Sequence, residues 1–460
     1  MYKRNQILAA AVIAALSPLA ASAATVCVNP GGTAGCFATI GEAVMNAAQG
    51  DTVTVAAGTY NERDIYLSYP LEIAGAGRDL TIVDGSVGGV NAGIIFYFGI
   101  QSGANVTIRD LTVKGGRRGI DLTADNTATL ERLRVTGNGP ETGAGIFNGA
   151  STLYLRDSLV DHNFATDPGS IGGCDWGGAS GGGIASLCGG GNNYISGSTI
   201  SNNIAGRWGG GLILNDGTTV IENSTISGNQ ANFPDPGLAG GGIFVGGAFS
   251  NILVRFSTIA NNGAFGAAGV WAGPGLKLYA SLLQGNAGHA CTGAPTSLGY
   301  NVVSDASCNF AATGDANGTD AMLAPLAMNG GLTSTHEFGI ASAAFDRVPT
   351  VDCTVFADQR GVSRPQHKGC DAGAVEHVPT TAELMSILLG TVTDVGAGQS
   401  LVSKVAAVLA MVAHSQPGAA CNMLGALRNE VNGQIGKKIT AAQAATILAA
   451  IQEVAASLGC

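Results

Sequence analysis

Five side chains along this sequence could together remove a proton from an acidic sugar: Lys114, Arg134, Asp161, His162 and Asp175. A lyase needs a base for the proton alpha to a uronate carboxylate and a cation to stabilise the charge that develops. Lys114 would be the base and Arg134 the carboxylate clamp. A Ca²⁺ ion held by Asp161 or Asp175 would assist them, and outside this lyase reading no cofactor is expected. His162, next to Asp161, could serve as general acid or base, but a lone histidine on a turn is more often simply solvated. Glycoside hydrolysis would need two carboxylates roughly 5 to 9.5 Å apart. Asp161 with Asp175, or Asp121 with Asp161, offers them, without a neighbouring-aspartate cluster to favour that chemistry. Arg117, Arg118, Asp175, Trp176, Arg207 and Trp208 are the accompanying candidates for ligand binding.

A repeat must position these residues. In TTVIENSTISGN, 218–229, take Ile226 as anchor: Ile221 stands five before it, Ser224 two before and Asn229 three after. The same frame fits anchors Val113, Val135, Val160, Ile200, Ile259 and Leu283, and the position five before is aliphatic every time. The position three after is Gly116 once and otherwise asparagine: Asn138, Asn163, Asn203, Asn229, Asn262 and Asn286. A self-similar period of about two dozen residues predicts a solenoid coil of short strands and turns. Coils would stack at about 4.8 Å, filling the bore with aliphatic columns. Asparagine amides could then hydrogen-bond along the turn as a ladder. A second strand in each coil is led by glycine, as in Gly145-Ile146, Gly183-Ile184 and Gly242-Ile243.

This pattern resembles the right-handed parallel β-helix of the pectate-lyase-like superfamily, which implies an all-β solenoid. Charges in the frame alternate in sign, with Arg109, Glu131 and Arg156 beside Asp110, Arg132 and Asp157, and Glu222 and Arg255 further on. They read as a surface ion-pair ladder of small worth per pair. The longest gap after a ladder asparagine runs from Asn163 to Ile184, and loops of this kind commonly wall a binding face.

The chain has 460 residues, a formal net charge of −10 and 12% charged residues. That acidity makes nucleic acid an unfitting partner, while local basic patches leave room for an extracellular glycan or surface protein as the expected partner. Lys3, Arg4, the apolar run 7–19 and Ala21-Ser22-Ala23 read as a signal peptide over 1–23, with no retained membrane span. Ten cysteines fall in local couples: Cys27 with Cys36, Cys174 with Cys188, Cys291 with Cys308, Cys353 with Cys370 and Cys421 with Cys460. Disulfides in an oxidising compartment are expected, secreted, periplasmic or at the cell surface. No CxxC or paired-histidine spacing favours zinc.

The solenoid is expected over 24–378. A capping helix at 39–48 starts with Thr39 and Glu42 as a capping box. After Asn286 the repeat decays. Residues 345–377 then carry DQRG, RP and CDAGAVE, in which Asp358, Gln359, Arg360, Gly361, Arg364, Pro365, Cys370, Asp371, Gly373 and Glu376 match. This stretch resembles the choice-of-anchor Q closing module of bacterial surface proteins, which implies closure of the last coil. Residues 380–460 have helical apolar spacing and resemble the FIMAH-like helical modules of exported bacterial proteins.

Two functional expectations follow. The first is a non-enzymatic exported β-helix protein that engages a glycan or another surface through loops on one side. The alternative is a polysaccharide-active enzyme, most plausibly a Ca²⁺-assisted lyase on uronate-containing glycans.

Overall fold

The structure, a computed structural model, describes residues 23–89, 93–99, 103–123, 125–167, 178–187, 189–232, 240–264, 269–393 and 395–460. The expected signal peptide lies outside the described residues, apart from its last position.

From the first strand to Asn317 the chain winds as a parallel solenoid. Among the described residues, a first sheet of eleven strands runs from Thr25–Val28 to Thr296–Ser297. A second sheet of eleven runs from Gly58–Tyr60 to Ala316–Asn317, and a third of nine from Ile65–Leu67 to Cys291–Gly293. The coil at the centre visits them in turn: Thr218–Glu222 in the first, Thr225–Ser227 in the second, Ile243–Gly246 in the third. Like residues stack, with Ile226 beside Ile200 and Ile259, and Ile221 beside Ile195 and Val254. β-Branched side chains suit this geometry because they pack on a pleated surface with few rotamers to lose. The aliphatic columns face inward and form one continuous buried core from Val28 to Phe310.

The asparagines do form a ladder. Each Nδ2 donates to the next Oδ1 at 2.9 to 3.1 Å from Asn138 through Asn163, Asn203, Asn229 and Asn262 to Asn286. Each also donates to the anchor carbonyl of the preceding coil, as Asn229 does to Ile200 at 2.9 Å. A second ladder occupies the position two before the anchor: Ser158, Ser198, Ser224, Ser257 and Ser281 accept backbone N–H bonds from one coil to the next. Asn301 takes over from Ser281. The solenoid therefore continues past the expected decay at Asn286, because pairing of backbone and bore persists when the turn motif lapses.

Helix α1, Ile40–Asn46, is shorter than 39–48, and Thr39 accepts from the Glu42 N–H as its N-cap. Its Ile40, Ala43 and Val44 join the solenoid core. The ion-pair ladder is present, with Arg109 to Glu72 and Asp110, Arg132 to Asp110, Arg156 to Glu131 and Arg255 to Glu222.

Residues 320–377 meet the last coil, where Arg347 donates to the Gly314 carbonyl and Tyr300 to Asp352, and also fold back along the outer face of the second sheet. Gln359 reaches Thr225, Thr199 and Thr333, His336 meets Ser227, and the Ala374 N–H meets Thr258. Inside this segment Arg364 is fully buried and binds Glu376 and the carbonyls of Asp371 and Gly373. Four helices follow: α2 (Thr381–Thr393), α3 (Gly398–Ala413), α4 (Pro417–Gln434) and α5 (Ala441–Leu458). Helix α5 is long and apolar enough to cross a membrane, yet Ile447, Ile451 and Val454 are buried in the helical core.

Four of the five expected cysteine couples are disulfides: Cys27–Cys36, Cys291–Cys308, Cys353–Cys370 and Cys421–Cys460. Cys174 lies outside the described residues, and Cys188 lies outside them too. The expected bond between Cys174 and Cys188 is therefore not among the described disulfides.

Candidate functional site

Strands of the second sheet present alternate residues outward, so one register position repeats on successive rungs. Asp84, Lys114, Thr136, Asp161 and Ser201 occupy that position. Arg134 stands two residues before Thr136 on the same face and reaches across to the next rung. Its Nε and a terminal nitrogen grip the two Asp161 oxygens at 3.1 and 2.8 Å. His162 Nδ1 is 2.9 Å from Asp161 Oδ2. Lys114 Nζ lies 3.1 Å from Asp84 Oδ2. Four expected site residues, Lys114, Arg134, Asp161 and His162, thus share one strip.

Burial alone would raise the Asp161 carboxyl, but the Arg134 hydrogen bonds and charge, then His162, outweigh it and hold its pKa low. Asp84 follows the same logic through Ser86 and Lys114. Arg134 is held above its ordinary value by Asp161. The Lys114 and Arg134 side chains remain 42% and 40% exposed, so a ligand can reach both. Beyond Ser201 the face is occupied by the folded-back segment, beginning where Thr199 donates to the Ser334 carbonyl at 2.6 Å.

The other candidates fall elsewhere. Arg118 is not on a binding surface: it is 4% exposed, paired with Asp121 and stacked 4.4 Å over Phe147 on the third sheet. Arg117, half exposed, binds Glu141 at 2.7 Å. Asp121 belongs to that buried cluster, where desolvation raises its pKa, and shares no groove with Asp161. Arg207 lies over Trp208, whose ring stacks on Phe244 at 5.6 Å in a satellite apolar cluster. Asp175 and Trp176 lie outside the described residues, as do Cys174 and Cys188. No group of three His, Cys, Asp or Glu side chains suited to a metal occurs among the described residues.

Sequence reasoning missed Asp84 and Glu141, the partners of Lys114 and Arg117. Asp84 was readable: it follows Val83 as Lys114 follows Val113 and Asp161 follows Val160. The frame breaks at that rung, where Arg78 and Ser86 stand in place of the aliphatic and asparagine markers.

The fold is a right-handed parallel β-helix with a helical region behind it. Residues 165–291 match the family model described as right handed beta helix region. Among solved structures, the crystal structure of pectate lyase Pel9A is similar, with a TM-score of 0.47 and 15% identity over 77% of this chain and 96% of that chain. No curated protein matches the chain.

Proposed function

We propose that this is an exported protein that binds a glycan, outside the cell or at its surface, through the ion-paired strip on the second sheet. One observation carries the reading: Lys114–Asp84 and Arg134–Asp161 place two half-exposed donors, each backed by a largely covered carboxylate, side by side on adjacent rungs. Such a neutral, hydrogen-bonding strip suits sugar hydroxyls, and its pairing speaks against catalysis. A lyase base must be free to take a proton, whereas Lys114 is held by Asp84 and the would-be clamp Arg134 is already filled by Asp161. Export is supported by the disulfides, which belong to oxidising compartments, and by the 1–23 leader pattern. We further assign 24–378 to the solenoid with its choice-of-anchor Q-like closing segment, and 380–460 to a FIMAH-like appended module.

The lyase alternative keeps one favourable feature, a lysine and an arginine on neighbouring rungs of one face. A single experiment separates the readings. Purified protein is run over immobilised neutral and uronate-containing glycans, and incubated with the latter with and without Ca²⁺ while the ultraviolet absorbance of unsaturated product is followed. Retention without absorbance, weakened about tenfold or more by Arg134→Ala, is expected from the loss of a charge-assisted contact. A Lys114-dependent rise in absorbance would establish the lyase instead. Absence of retention on every glycan would overturn both readings and leave a protein partner.

A further inference from the structure

The solenoid and the helical region keep separate apolar cores. The helical cluster is drawn from Leu384 to Val454, and the cluster under the folded-back segment from Leu282 to Val375. A polar contact joins them, centred on His367. Its side chain is 4% exposed and its ring stacks on Phe345 with centroids 5.4 Å apart. A carboxylate stands at each ring nitrogen. Asp346 Oδ2 lies 2.5 Å from Nδ1, and Glu453 Oε2, on α5, lies 3.0 Å from Nε2.

Among the described residues no second side chain pairs with Glu453, which is 32% exposed, and Asp346 is anchored. The other Asp346 oxygen accepts the backbone N–H groups of Lys368 and Gly369. Arg347 is turned away to the Gly314 carbonyl, and Lys368 is exposed. On the far side of Phe345, His377 faces Glu383 at the start of α2, with Nε2 3.1 Å from both oxygens. Asp371 lies behind both, accepting the Asp346 and His377 backbone N–H groups, so Asp346, Glu453, Glu383, His377 and Asp371 are the charged or titratable groups around the ring among the described residues.

A carboxylate only accepts, so a ring with one at each nitrogen must donate from both. The imidazolium has two N–H groups and the neutral ring has one. We propose that His367 is a proton-operated latch that holds α5, and with it the helical region, against the solenoid. With the proton present, His367 donates to Asp346 and to Glu453 together. With it lost, one bond goes, and two carboxylates face each other across a neutral ring. Asp346 keeps its two backbone donors, so Glu453 is the partner released. Docking takes up the proton, so acidification favours it and alkalinity relaxes it. This mechanism is independent of what the strip on the second sheet binds.

The test uses the full disulfide-bonded chain. The rate of protease cleavage between 377 and 381, normalised to an unstructured peptide, and the radius of gyration from small-angle scattering are measured at pH 5.5 and 8.0. Cleavage should be about fivefold slower at pH 5.5, the population change carried by one hydrogen bond, and the particle more compact. In an Asp371→Asn background, which removes the other carboxyl that changes charge in this window, Glu453→Gln can pair with either ring form and should remove the pH dependence, whereas His377→Gln should retain it. Equal rates and radii at the two pH values in the Asp371→Asn chain overturn the latch, as does an Asp371→Asn, Glu453→Gln chain that still responds to pH.

Discussion

A Cβ placed on Gly211 would lie 3.0 Å from the Nδ2 of Asn229 and 2.6 Å from the Gly242 carbonyl oxygen. The same closeness recurs at Gly119 with Asn138, Gly145 with Asn163, Gly183 with Asn203 and Gly242 with Asn262. The ladder and the glycine-led strands are therefore one device. The third sheet must approach the asparagine column so closely that no side chain fits between them.

Substitution at either member should be costly. Asn229 Oδ1 accepts from the Asn203 backbone and side chain at 3.0 and 2.9 Å, while its Nδ2 donates to Ile200 and Asn262. Asn229→Ala strands several buried groups at once and is expected to destabilise by about 3 kcal/mol. Gly211→Ala should match it, because backbone rather than a flexible side chain would have to move. Denaturant unfolding followed by circular dichroism checks both, with Asn251→Ala, an exposed rung position, expected within about 0.5 kcal/mol of the parent.

This pairing also explains what the sequence could reveal. Asn229 and Ile226 advertise their surroundings because a stacked repeat puts each residue beside its own counterpart, so local periodicity encodes tertiary contact. The strip of Lys114, Arg134 and Asp161 was legible for the same reason. The serine ladder was half visible through Ser224, yet its function needed the backbone geometry of the turn. What periodicity could not show was the return of 320–377. The bond from Thr225 to Gln359 spans 134 residues and belongs to no repeat, so nothing in the frame announces it. Arg118 misled because a charged side chain at a strand start reads as exposed, whereas Phe147, Asp121 and Glu141 bury and neutralise it.

The closing segment should make stability fall as pH rises through neutrality. Burial, then the charge of Glu376, pushes the Asp371 carboxyl up to about 8, against hydrogen bonds from the His377 and Asp346 backbone and the charge of Arg364. An unfolded aspartate titrates near 3.9. A group whose pKa is raised on folding contributes stability that is complete below the unfolded value and lost as pH climbs through the folded one. Melting temperature should therefore decline between pH 5.5 and 8.5. Asp371→Asn lowers it overall, since one backbone bond loses its acceptor, but should flatten the slope. An unchanged slope in Asp371→Asn would show that another group carries the effect.

The opposite sign is expected where the segment meets the second sheet. His336 donates from Nδ1 to the Ala324 carbonyl at 2.7 Å, so its Nε2 is bare and accepts from the Ser227 hydroxyl at 2.9 Å. Burial lowers its pKa, with the Ala324 carbonyl pulling the other way. A depressed value means the contribution is present above the unfolded histidine value of about 6.5 and lost as pH falls through the folded one. Protonation would point a new N–H at a hydroxyl already donating to it, and the loop pinned by Thr335 and Ala327 would loosen. Hydrogen exchange at the amides of Ala324, Ala327 and Thr335, corrected for intrinsic rates, should accelerate between pH 7 and 5 while the asparagine ladder stays protected. Ser227→Ala removes one neutral hydrogen bond and should speed exchange about fivefold at pH 7, on the order of 1 kcal/mol. His336→Gln should abolish the pH response, and uniform protection across both pH values in the parent chain would exclude His336 as its source.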